Sequence, residues 1–266
     1  MRPHRVVIVA SVLGLALTGL ASRAWAVHDP DVTNDESKCQ IGASLAIGKF
    51  ITDKAKCVIK CEQGARKALN PATDCDPPYA GSTDTCVGLA ESKAESLEQS
   101  KCAKDCPECY TGGDCTADSS ARVDDAEAQV DILVPLVFCD DSASGDGLTG
   151  AEAKCQDTVA KTLSNFAKKK LNCYAKCRKA EHAGFSAPGS CDPPATDQKT
   201  IECIDKEEAK APFLIDKKCD SNVSPSADGP ECYSMTGSAW IGLVEAAVDA
   251  GQPNLYCGSP SGAFIE

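Results

Sequence analysis

Residues 155–177 read CQDTVAKTLSNFAKKKLNCYAKC, and residues 39–61 read CQIGASLAIGKFITDKAKCVIKC. In both stretches the second cysteine follows the first by 18 residues, and the third follows the second by 4. Eighteen residues make five turns of an α-helix at about 3.6 residues per turn, so the sulfur atoms share one face. Each stretch therefore predicts a long helix whose cysteine face is buried against a partner helix.

The cysteine spacing continues beyond these two helices and divides the chain into two copies. The successive steps are 18, 4, 14, 11, 16, 13 and 24 in the first copy, and 18, 4, 14, 12, 16, 13 and 25 in the second. Self-similarity at a fixed period is typical of a repeat architecture. The aligned cysteines are Cys39, Cys57, Cys61, Cys75, Cys86, Cys102, Cys115 and Cys139, followed by Cys155, Cys173, Cys177, Cys191, Cys203, Cys219, Cys232 and Cys257.

The repeat predicts an all-α fold of two tandem homologous, disulfide-stapled helical domains, each a helical hairpin followed by a third helix. Because proline disrupts a helix interior, Pro212 should kink or break the second helix of the second copy. The third helices should end just before Pro135 and Pro253. The predicted organisation is a signal peptide at 1–26, an N-terminal lead-in at 27–38, repeat 1 at 39–139, a linker at 140–154, repeat 2 at 155–257 and a C-terminal tail at 258–266.

The first residues have the features of a secretory signal. Arg2 and Arg5 precede an apolar run at 6–20, and Ala24-Trp25-Ala26 fits a signal-peptidase site. The 18 cysteines are an even number, all of them beyond this segment, which indicates a disulfide framework formed in an oxidising compartment. We therefore expect a secreted or periplasmic protein.

The charge balance restricts the partners of this chain. The 266 residues carry a net charge of −12. Nucleic acid is an unfavourable partner for such a surface. No stretch beyond the signal has the roughly 18 consecutive apolar residues of a membrane span. The expected partner is an unknown protein or a small-molecule ligand.

The disulfide pairing follows from the lengths of the first two helices. Cysteines 18 apart on helix one face cysteines 16 apart on helix two, and antiparallel packing joins them as two rungs of similar length. The remaining pairs follow from proximity or by elimination. The predicted pairs are Cys39–Cys102, Cys57–Cys86, Cys61–Cys75 and Cys115–Cys139 in repeat 1, and Cys155–Cys219, Cys173–Cys203, Cys177–Cys191 and Cys232–Cys257 in repeat 2.

Repeat 1 contains two further cysteines, Cys106 and Cys109, and two alignments are possible around them. Spacing aligns Cys232 with Cys115, which makes Cys106–Cys109 the extra pair, and we favour this alignment. Local identity instead aligns Cys232 with Cys109, because Glu-Cys-Tyr occurs at 108–110 and 231–233. Under that alignment the extra pair is Cys106 with Cys115.

No catalytic, cofactor-binding or metal-binding residue can be named from the sequence. Beyond the signal there are two histidines, His28 and His182, and neither has a partner in a recognisable motif. The sequence contains no motif of a P-loop, a nucleophile elbow or a zinc peptidase. We therefore predict that the protein is not an enzyme and has no cofactor.

The Cys-x3-Cys helix, which reads Asn-Cys-Tyr-Ala-Lys-Cys at 172–177, is followed by a second cysteine-bearing helix. This unit resembles cysteine-rich helical-repeat proteins that bacteria export, a group that implies no activity for this chain. The expected function is a non-enzymatic binding or structural module. The alternative is a thiol-redox or metal-binding protein that uses Cys106, Cys109 and Cys115. A large apolar cavity between the helices would favour a small-molecule carrier.

Overall fold

The computed structural model describes residues 33–107, 110, 114–139, 150–219 and 235–256. These residues form six α-helices and one short 3-10 turn, Ala72–Asp74, and contain no strand, so the all-α prediction is confirmed for them. The predicted signal peptide and C-terminal tail lie outside the described residues, as does most of the predicted linker. The helices are α1 (Asn34–Ala65), α2 (Gly81–Cys102), α3 (Cys115–Val137), α4 (Gly150–His182), α5 (Gln198–Cys219) and α6 (Gly237–Tyr256).

Helix α1 begins five residues before Cys39 because a capping box starts it there. The Thr33 hydroxyl accepts a hydrogen bond from the Glu36 amide at 3.1 Å. The Glu36 carboxylate in turn accepts one from the Thr33 amide at 2.7 Å. Two of the amides that a helix start leaves without partners are thereby satisfied.

Two antiparallel hairpins, α1 with α2 and α4 with α5, are held by disulfides at the spacing that the sequence predicts. The first hairpin carries Cys39–Cys102 and Cys57–Cys86, and Cys61–Cys75 fixes its connecting loop. The equivalent bonds in the second hairpin are Cys155–Cys219, Cys173–Cys203 and Cys177–Cys191. Four of these bonds are the rungs that the helix-length argument pairs, and Cys61–Cys75 and Cys177–Cys191 are the pairs predicted from proximity.

The third helices do not end before Pro135 and Pro253, so that prediction is wrong, and the second hairpin's helix is not broken at Pro212. Helix α3 continues through Pro135 to Val137, α6 continues through Pro253 to Tyr256, and α5 is continuous through Pro212. Each proline has buried residues within about one helical turn, Val134 and Val137, Ala211 and Ile215, or Gln252 and Leu255, and their packing offsets the lost backbone hydrogen bond. The helix rule fails here because it considers local backbone energy alone.

The two halves of the chain meet along α1 and α4, which run antiparallel. A Cβ on Gly48 would stand 3.4 Å from Lys168 Cγ, which shows how closely the two helices approach at their centre. Near the end of α1, Arg66 forms an ion pair with Asp157 at 2.5 Å. The Tyr110 hydroxyl, from the first half, donates to the Leu255 carbonyl at 2.6 Å. Buried apolar residues from both halves consequently form one hydrophobic cluster.

Candidate ligand-binding cavity

A cavity of about 370 Å³ lies where the two halves meet, between α1, α3, α4 and α6. Its wall is mostly apolar, and both halves contribute to it. Helices α2 and α5 stand outside it, on the far side of their disulfide-linked partners. The apolar residues of the wall include Ile47, Ile51, Val58, Ala126, Val130, Leu133, Val134, Val137, Phe138, Leu163, Ala167, Leu171, Val244, Val248 and Leu255.

The few polar groups of the cavity are concentrated on α3 and the end of α6. Asp125, Gln129 and Asn254 contribute to the lining and are exposed, so they mark the side on which the cavity opens to solvent. Asn254 donates to the Asp125 carboxylate at 3.4 Å, which links the two halves across the opening. The cavity is thus an apolar chamber with a hydrogen-bonding rim.

Arg122 also contributes to the lining, but its charge is already satisfied. Its guanidinium donates to Glu98 and, at 3.4 Å, to Asp118, and it stacks 3.7 Å from the centre of the Tyr110 ring. Burial raises the pKa of Tyr110 and of Glu98, the latter in spite of the adjacent arginine. Because these groups bind each other, this cluster braces one wall and does not present a free cation to the chamber.

A buried lysine cluster fixes α3 to α1, close to the cavity but not in its wall. Lys54 is fully buried and its ammonium lies 2.6 Å from Glu127 Oε1 and 2.5 Å from Asp131 Oδ1. Glu91, on α2, completes the first lysine cluster (Lys54, Glu91, Glu127, Asp131). Burial raises the pKa of Glu91 to about 7, helped by its hydrogen bond to Glu127. Asp124 opposes ionisation of Glu91, and Lys54 favours it.

The second half contains the same arrangement. Lys170, on α4, lies 2.6 Å from Glu245 Oε1 and 2.9 Å from Asp249 on α6, and Glu208 on α5 completes the second lysine cluster (Lys170, Glu208, Glu245, Asp249). The hydrogen bond to Glu245, together with burial, raises the pKa of Glu208 to about 7. A buried lysine therefore holds α3 against α1 in the first half and α6 against α4 in the second half.

A tyrosine hydroxyl supports each cluster, but the tyrosines come from different elements. Tyr79, in the loop before α2, donates to Asp131 at 2.6 Å. Tyr174, on α4 itself, donates to Asp249 at 2.9 Å. Burial is the main cause of the raised pKa of both phenols. The carboxylate at this position thus accepts a tyrosine hydrogen bond in both halves, from two different places in the fold.

The cysteines around the start of α3 do not pair as spacing suggests. Cys106 is bonded to Cys115, with a Cα–Cα distance of 5.8 Å, so the predicted pairs Cys106–Cys109 and Cys115–Cys139 are both wrong. Cys139 is disulfide-bonded. The predicted pair Cys232–Cys257 lies outside the described residues. The observed bond agrees with the alignment by local identity, in which Cys109 corresponds to Cys232.

The sequence predicts the disulfide ladder, but it predicts neither the cavity nor the carboxylates that pair with Lys54 and Lys170. Lys54 and Lys170 recur at the same position of the cysteine face, which is a signal for a buried cation. The matching acids recur too, because Asp131 and Asp249 are both preceded by valine in the aligned third helices. Which acid meets which lysine depends on the packing of α3 and α6, and no spacing rule gives that packing.

Around the cavity, the described residues offer no histidine, cysteine or lysine. The Ser164 hydroxyl in the wall donates to the Lys161 carbonyl at 3.1 Å. The predominantly apolar wall is suited to burying an apolar molecule.

No family model matches this chain, and no curated protein or solved structure is significantly similar to it. Among the described helices, none combines the length and the apolar character that crossing a membrane requires. The cavity is therefore the feature of this molecule that points to a function.

Proposed function

We propose that this protein is an exported, non-enzymatic binding module that holds a small apolar molecule in the cavity between α1, α3, α4 and α6. The observation that supports this most directly is an apolar chamber of about 370 Å³ with polar groups on one side. Ligand pockets in proteins are mostly apolar clefts of roughly 300–1,000 Å³ with a few polar groups that orient the ligand.

The proposed architecture is a duplicated helical unit whose two copies together form one binding site. Helices α1 and α3 of the first copy and the aligned α4 and α6 of the second form the four walls. The disulfides fit an oxidising compartment, and with the signal-like start of the chain they support secretion or export to a periplasm.

The disulfide bonds within each hairpin explain how the chain can keep such a space open. Apolar voids cost stability because the surrounding side chains lose contacts. Each hairpin, however, is fixed by disulfides near both ends of its helices, which limits how far α1 and α4 can bend or shift to fill the space. A bound apolar molecule would restore the missing contacts.

Titration with N-phenyl-1-naphthylamine, a neutral probe that fluoresces in apolar surroundings, tests the proposal. We expect saturable binding of one probe per chain. Ala167→Phe, which places a ring in the wall, and Ala126→Phe, at a partly buried wall position, should each weaken binding at least tenfold. The matched control is Ala209→Phe, on the exposed face of α5, which should bind as the parent does.

Circular dichroism of each variant separates loss of binding from loss of fold. Folded wall variants that bind the probe as tightly as the parent would refute the cavity as the site. Probe fluorescence that rises without saturation would show non-specific association with exposed apolar surface.

A further inference from the structure

The disulfide Cys106–Cys115 differs from the others in exposure. Among the seven bonds between described cysteines, it is the only one in which neither cysteine is buried. It also closes the shortest loop, with a sequence separation of 9, against 63 for Cys39–Cys102. Short loops restrict the unfolded chain less than long ones, so this bond contributes less to stability than the ladder bonds.

This half-buried bond lies against a fully buried one. The Cys115 sulfur is 3.8 Å from the Cys39 sulfur, which is bonded to Cys102. All three sulfur atoms lie within 4.8 Å of one another. A polar cleft lined by Cys102, Cys106 and Cys115 opens beside the Cys106–Cys115 bond, so a small thiol can reach Cys106.

We propose that Cys106–Cys115 is a thiol-exchange site, where a soluble dithiol opens the protein first and from which exchange passes to Cys39–Cys102. The two adjacent disulfides then act as a relay from a surface bond to a ladder rung. This inference is independent of the cavity and of any ligand bound there.

The exchange is balanced in atoms and electrons. A thiolate of the dithiol attacks the Cys106 sulfur and releases the Cys115 thiolate, and the second thiolate of the reagent then displaces Cys106 and leaves as a cyclic disulfide. These two steps transfer two electrons to the protein. The Cys115 thiolate next attacks the Cys39 sulfur, forms Cys39–Cys115 and releases Cys102, which takes up a proton from solvent.

The position of Cys115 sets the direction of the first step. It is the first residue of α3, where the positive end of the helix dipole favours a thiolate and makes Cys115 the better leaving group. Asp114 acts against this effect, because its carboxylate caps the amides of Thr116 and Ala117. Because the helix dipole and the Asp114 carboxylate oppose each other, we expect a strong dithiol to open this bond readily. We do not expect the bond to catalyse thiol exchange in other molecules.

Limited reduction of the native protein tests the proposal. The folded chain is treated with less than one equivalent of dithiothreitol, acid-quenched, alkylated and mapped without further reduction. We expect the first label on Cys106, shared label on Cys115 and Cys102, and a new Cys39–Cys115 peptide. Cys155–Cys219, the matching rung of the second hairpin, is the internal control and should remain unlabelled.

Two results would overturn the proposal. If another pair opens first, or all pairs open together, Cys106–Cys115 is not the entry point. If Cys106 and Cys115 are labelled but no Cys39–Cys115 peptide forms, exchange does not pass to the rung. Cys106→Ser gives an independent test without reductant, since its single free thiol should map to both Cys115 and Cys102. A free thiol at Cys115 alone would contradict the relay.

Discussion

Lys54 and Lys170 show how a charge can be part of a core. Each ammonium is almost fully buried and each contacts two carboxylates that remain partly exposed. Burying a charge is costly unless it is paired and hydrogen-bonded, and here the pairing joins a long helix to a third helix. The clusters therefore determine where α3 and α6 lie, and so where the cavity walls stand.

Lys54→Met should destabilise the protein by about 2 kcal/mol. Removing one partner of a fully buried pair costs roughly 3–5 kcal/mol, and the effect is smaller here because the remaining carboxylates can hydrate. Lys170→Met should cost a similar amount. Lys49→Met removes an exposed pair on the same helix, and it should change stability by less than about 0.5 kcal/mol. Urea unfolding measures all three, and equal effects at Lys49 and Lys54 would contradict the assignment.

Glu91 and Glu208 should make the protein more stable at mildly acidic pH. The pKa of each is raised from 4.5 to about 7 in the folded state. The folded chain consequently binds these protons more tightly than the unfolded chain. Their contribution to stability is fully present below the ordinary pKa and is lost as pH rises through 7.

The double variant Glu91→Gln with Glu208→Gln checks this pH dependence. Its thermal midpoint should change less between pH 5.5 and pH 8 than that of the parent, since an amide mimics the protonated acid at every pH. Glu202→Gln, at an exposed position of α5, should keep the parental profile. An unchanged profile in the double variant would mean that these two acids do not control the effect.

At the scale of helices, the cysteine spacing predicts the helices and their pairing better than the proline positions do. A step of 18 residues fixes both the helix and the face that carries the sulfurs, so helix–helix pairing follows from geometry alone. The prolines are misleading because Pro135, Pro212 and Pro253 each have some buried residues within about one turn, and tertiary packing there overrides the local preference. Tertiary packing also explains why the spacing argument predicts the wrong partner for Cys115.

Gly42 sets the distance between α1 and α2. A Cβ there would stand 2.5 Å from Lys101 Cβ, so any side chain must push the helices apart. Gly42→Ala should therefore destabilise the fold by roughly 1–3 kcal/mol. Gly242→Ala has open space around it in α6 and should instead stabilise by about 0.5–1 kcal/mol. Thermal unfolding decides, and stabilisation by both substitutions would show that α1 and α2 are not in close contact at Gly42.

At the scale of the whole molecule, the sequence predicts two similar halves but not how they combine. The halves share one hydrophobic cluster, and the cavity exists only where their helices meet. Contacts such as Tyr110 with Leu255 depend on both halves being folded, so neither copy read by itself reveals the site.

The bond Cys106–Cys115 revises the expected pairing in the rest of repeat 1. With Cys109 aligned to Cys232, the final cysteine of each copy should pair in the same way. We therefore predict Cys109–Cys139 alongside Cys232–Cys257. Non-reducing peptide mapping of the native protein tests this, and a different partner for Cys139 would show that the copies are not equivalent at this end.

Methyl NMR of the protein with bound N-phenyl-1-naphthylamine tests the central claim most directly, because it locates the probe. We predict that the methyl signals of Leu133, Leu163 and Val248, which line the cavity, shift on addition of the probe, whereas those of Val87 and Ile204, which are buried outside it, do not. Shifts confined to Val87, Ile204 or other methyls outside the wall would contradict the account, as would no shift at a probe concentration that saturates fluorescence.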